Sequence, residues 1–161
     1  MSGATAVLVA ALDELRAAAG LLRDADVALS QRPTVASNAR WFMRIFVMPR
    51  RTPASSADDL FWTNLERARN HCEASEAALA SLVAAHGTEP VVAGLLDELK
   101  DAGHATILPA LQLPDVAVGE EAEASTALKP VVARMRICEA RMVQAIKTLA
   151  TQGRAAGATE S

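Results

Sequence analysis

Apolar residues recur along this chain at spacings of three and four, the interval that lays them on one face of an α-helix. Four helices follow from the pattern. In the first, Leu8, Leu15, Leu22 and Leu29 return every seven residues, and Ala11, Ala18 and Ala25 keep the same interval one turn away. That seam of small side chains lets a second helix approach closely, and Pro33 ends the run. The second helix begins after Pro53, where Ser55 or Ser56 can cap free amides and Asp58 and Asp59 suit the positive first turn. Its core stripe is Phe61, Leu65, Ala68, Cys72, Ser75, Leu79, Leu82 and His86, with Gly87 as an expected left-handed stop.

The third helix is expected from a Thr88 cap, with Pro90 in its first turn, through Val92, Leu95, Leu96, Leu99 and Ala102 towards Ile107. Pro109 and Pro114 kink or end it, and an acidic connector follows from Asp115 to Glu123 around Gly119. The fourth carries Leu128, Val131, Met135, Cys138, Met142, Ala145 and Leu149, with Pro130 near its start. From Gln152 onward the residues are small and polar, which predicts fraying. Each stripe needs an apolar partner surface, so the fold class is all-α: an antiparallel four-helix bundle with an extra short helix in the long connection between the first two long helices. Residues 1–152 form one domain in this reading and 153–161 a flexible tail. The same stripes would also serve a homodimer.

Composition narrows the setting. At 161 residues the chain can bury a core without disulfides or a structural metal, and its two cysteines lie far apart, outside any Cys-x-x-Cys spacing. Reduced thiols are the expectation. The apolar run from Ala4 to Leu12 has no preceding Lys or Arg and is closed by Asp13 and Glu14, so it does not read as a signal peptide. No stretch approaches the ~20 apolar residues of a spanning helix, which excludes an integral membrane segment and leaves a cytoplasmic location as the expectation.

One stretch departs from a plain bundle. All five aromatics, Trp41, Phe42, Phe46, Phe61 and Trp62, fall in the connection between the first two helices and in the first turns of the second. Arg32, Arg40, Arg44, Arg50 and Arg51 occur there with no acid between Asp26 and Asp58, a formal +5 against −8 on the rest of a chain whose total is −3. As a short helix, Val35 to Met48 puts Trp41, Phe42, Ile45 and Phe46 on one side, widened by Met43, Val47 and Met48, and Arg40 and Arg44 on another. In the plainest reading this element packs across one end of the core. Exposed, it has the residue types of protein interfaces. An anionic membrane surface also fits aromatics beside arginines. Nucleic acid fits poorly, because the pI near 5.6 makes the body repel a polyanion and no binding motif is present.

The leading expectation is therefore a non-enzymatic protein acting through protein contacts, self-association foremost, with Arg40, Trp41, Phe42, Arg44, Phe46, Arg50, Arg51, Phe61 and Trp62 as its contact residues. The alternative is a bundle that binds a small molecule or a metal group (haem, copper or zinc) in a pocket walled by the same aromatics. No cofactor is assigned. Metal candidates are few: His71 and Cys72 are adjacent, but successive helical residues point about 100° apart, so they do not act on one face. Cys72 and Cys138, the latter flanked by Met135 and Met142, would suit copper(I) only if the helices bring them together; otherwise they are core filler. Asp101 and His104 have the i, i+3 spacing of di-metal bundles, but in a single copy and with His104 expected on the polar side. His86 is explained by the negative end of its helix. With no Gly-rich phosphate loop, Gly-x-Ser-x-Gly elbow or His-Glu-x-x-His pair, no catalytic residue is assigned.

Overall fold

Close packing of small side chains decides the first contact. In the computed structural model, which describes residues 3–30, 56–113 and 121–158, the Ala11, Ala18 and Ala25 seam of α1 (Gly3–Ser30) is buried together with Leu8, Leu15 and Leu22. Its main partner is α2 (Ser56–His86). Ser75 Oγ donates to the Ala11 carbonyl at 2.9 Å, and His71 Nδ1 lies 2.6 Å from Glu14 Oε2. Residue numbers fall on one helix as they rise on the other, so the two run antiparallel. A Cβ on Gly3 would sit 3.3 Å from His86 Nε2, which extends that register to the helix ends.

The long α5 (Glu121–Ala158) also runs antiparallel to α1, tied by Arg16 to Glu139 at 2.8 Å and by a hydrogen bond from Ser125 Oγ to Asp26. Against α5 lies α3 (Pro90–Asp101), again antiparallel, with Arg141 3.7 Å from Glu98 and Arg134 beside Gly103. A 3-10 turn (His104–Thr106) and the short α4 (Ile107–Leu111) follow, and Arg69 of α2 donates to the Leu111 carbonyl at 2.8 Å. Among the described residues every regular element is helical, which establishes the all-α class. None of these helices is long and apolar enough to cross a membrane.

Several expected boundaries shift. The third helix does not continue to Ile107: it stops at Asp101, and Gly103 takes a left-handed φ of 73°. Its N-cap is Glu89 rather than Thr88, and the Glu89 carboxylate meets His86 Nδ1 at 2.6 Å instead of capping the helix. Gly87 is not left-handed. A Cβ there would lie 2.5 Å from the Val83 carbonyl oxygen, so close approach, not φ, requires glycine. Glu121 to Glu123 belong to α5 rather than to a connector, Pro130 sits well inside that helix, and helix persists to Ala158. Leu113, just before Pro114, is left-handed at φ 44°, and the short α4 has ended by then. The short helix expected over 35–48 lies outside the described residues.

The break at Gly103 is held by tertiary contacts. Arg134 donates to the Thr106 hydroxyl, which donates in turn to the Gly103 carbonyl at 2.7 Å. A Cβ at Gly103 would lie 3.1 Å from Arg134 Nε. Gly103→Ala is expected to lose about 1–2 kcal/mol, since a left-handed φ is strained for any L side chain and the Arg134 contact tightens as well. Chemical denaturation measures it; a neutral result would mean that the turn relaxes into right-handed helix. Asn64 gives a prediction of opposite sign. It is 6% exposed, and no hydrogen bond to its side chain exists among the described residues. Asn64→Leu is expected to raise stability by about 1–2 kcal/mol, the cost of a buried unpaired amide. A fall in the midpoint would reveal a polar partner such as an ordered water.

Candidate functional site

Where α1, α2 and α5 meet near the α2 N-terminus, their side chains leave a cleft of about 280 Å³. Register creates it. The antiparallel α1 and α5 bring Leu22, Arg23 and Asp26 opposite Ser125, Leu128, Lys129, Val132, Ala133 and Arg136, and α2 contributes Phe61. Leu22, Phe61 and Leu128 are buried and form an apolar floor. Arg23, Lys129 and Arg136 stand exposed on the rim. The one acid there, Asp26, accepts a hydrogen bond from Ser125. No carboxylate among the described residues forms an ion pair with any of the three rim cations, whereas Arg16 and Arg141 on the same helices are both paired.

The aromatic prediction divides. Phe61 is fully buried, so it belongs to the core and the cleft floor rather than to an exposed contact face. Its ring meets Trp62 edge-on, with centroids 5.2 Å apart and planes at 86°, and Trp62 is half-buried against the core. Arg32, Arg40, Trp41, Phe42, Arg44, Phe46, Arg50 and Arg51 lie outside the described residues. The body is also less uniformly acidic than composition suggests: Lys129, Arg134, Arg136, Arg141, Lys147 and Arg154 all lie on α5, against Glu121, Glu123 and Glu139. Sequence reasoning missed the rim. Its trace is the flank stripe Ser125, Lys129, Val132 and Arg136 beside the α5 core stripe, but nothing in one helix says that Arg23 of another will face it.

Among the described residues no group of three or more His, Cys, Asp or Glu side chains is placed to hold a metal ion. His71 is paired with Glu14, while Cys72 is turned into the core as a free thiol, and Cys138 is likewise buried and free. His104 is half-buried, not on an open polar face as expected, and burial holds its pKa below the ordinary imidazole value.

Burial pushes the Cys72 thiol up to about 12, with the negative Glu76 and Glu73 adding to the effect. Burial raises Cys138 too, opposed by the charge of Arg134. Two expectations follow. The native thiols should react with a disulfide reagent at pH 8 roughly a hundredfold or more slowly than after unfolding, because the thiolate is the nucleophile. The folded state also keeps a proton that the unfolded chain releases, so stability from Cys72 is present below pH ~9 and lost as pH rises towards 12. With no tyrosine in the chain, urea midpoints at pH 8 and 10.5 for wild type and Cys72→Ala isolate the Cys72 contribution; equal alkaline losses in both proteins would refute it. Comparison of the chain with protein-family models, with curated proteins and with solved structures finds no match in any of the three.

Proposed function

We propose that this chain is a non-catalytic binding protein that takes a small organic molecule into the cleft between α1, α2 and α5. The observation that carries the reading is the combination of a buried apolar floor, Leu22, Phe61 and Leu128, with three rim cations that have no acidic partner among the described residues. Apolar walls with a few polar groups at the mouth are the common form of small-molecule sites, and the volume lies near the small end of their range. Ala133 lines the cleft and is exposed, so Ala133→Trp fills the space without disturbing the core. Eight-carbon acids, alcohols and amines should include compounds that raise the melting temperature of the wild type and leave Ala133→Trp unchanged. If no compound distinguishes the two proteins, the reading fails.

A second reading keeps the basic aromatic segment as a protein contact surface, used for self-association. The observation in its favour is apolar surface at both ends of that segment: Val27, three residues before α1 ends, is 49% exposed, and Leu60, four residues into α2, is 48% exposed. Light scattering of wild type and of Trp41→Ser with Phe46→Ser tests it: a dimer that dissociates on substitution supports the reading, and a monomer in both cases removes it.

A further inference from the structure

We infer that the ligand of this cleft is an amphipathic monocarboxylate, an anionic head on an apolar body, with about nine heavy atoms in all at roughly 30 Å³ for each water-sized atom. The inference rests on the small-molecule reading above and adds the chemistry of the ligand. Charge complementarity is its ground. Along the seams of α1 with α5 and α3 with α5, cations meet acids: Arg16 pairs with Glu139 and Arg141 with Glu98. At the cleft this matching stops. Arg23 comes from one helix, Lys129 and Arg136 from another, and no carboxylate among the described residues answers any of them.

A ligand carboxylate at the rim meets planar guanidinium donors on both sides, and a carboxylate is the group those forks bind in bidentate fashion. Its apolar body then lies against Val132 and Ala133, above the buried Leu22, Phe61 and Leu128, and is removed from water. Asp26 limits the charge of the head. It stands on the same rim, so a dianion would crowd its second charge against a fixed carboxylate already satisfied by Ser125. An ammonium head faces three like charges. An alcohol gains the floor but leaves the cations unanswered.

The test is calorimetric titration of the full chain at low salt with octanoate, octanol, octylamine and octyl phosphate, repeated on Arg136→Gln, Lys129→Gln and Ala133→Trp. Octanoate should bind about tenfold or more tightly than octanol, and each Gln variant should weaken octanoate several-fold while leaving octanol unchanged. Raising the salt should erode the preference, since the rim is exposed. Octanol binding as tightly as octanoate would overturn the anion assignment while the cleft reading stands. Tighter binding of octylamine or of dianionic octyl phosphate would overturn it in the same way. Absence of binding by all four compounds, or equal binding to Ala133→Trp, would overturn both.

Discussion

Phe61→Ala is expected to lose about 3–5 kcal/mol of stability, the range for deleting a buried phenylalanine and leaving a cavity. The ring is 0% exposed and holds one corner of the core where three helices converge. Most of the core is aliphatic or small: Leu, Ala, Val, Met and Cys supply every other fully buried side chain of the described residues apart from Ile107 and Ser75. Among the described residues no second buried ring lies in that core to move in and fill the space, and Trp62 loses its edge-on neighbour at 5.2 Å. A domain of this size shifts by about 2–4 °C per kcal/mol, so the melting temperature should fall by about 6–20 °C. Urea denaturation checks it, with an unchanged slope showing that the two-state transition survives. A loss below ~1 kcal/mol would mean that the helix ends collapse onto the vacancy, and that the cleft above Phe61 is soft rather than preformed.

The core was legible because its periodicity is strict. Every member of the α5 stripe from Leu128 to Leu149 is buried, and on α2 the stripe from Phe61 to Leu82 is buried throughout, including polar Ser75, whose hydroxyl is satisfied by the Ala11 carbonyl. Helical spacing alone fixes which residues share a face, and burial follows. Boundaries were less legible, since they turn on partners from other helices. The third helix's stripe runs past Gly103 towards Ile107 in sequence, but Arg134, thirty-one residues away, fills the space a side chain at Gly103 would need. Glu89 takes the helix start without a side-chain cap, its carboxylate turned back to His86. The cleft lay furthest from sequence reach. Arg23 and Arg136 are unremarkable on their own helices, and only the antiparallel register of α1 with α5 gives them a common mouth.

Pro130→Ala is expected to raise stability by about 1–3 kcal/mol, since an interior proline lacks the amide that would bond four residues back and costs ~3 kcal/mol relative to alanine. The side chain is exposed, so the substitution removes no core contact, and alanine restores a donor to the Thr126 carbonyl. A proline kept deep in a 38-residue helix despite that penalty calls for a compensating use. Its neighbours supply one: Leu128, Lys129, Val132 and Ala133, on either side of it, all line the cleft. A proline ring clashes with the carbonyl four residues back, and a bend at this turn of the α5 wall would set the width of the gap to α1. Stability and ligand affinity should therefore move in opposite directions in Pro130→Ala, with a higher urea midpoint and octanoate bound several-fold more weakly than by wild type. Equal affinity with higher stability would show that the proline has no part in shaping the cleft. A lower midpoint would show that surrounding contacts already repay the missing bond, and that straightening the helix breaks the packing of α5 on α1.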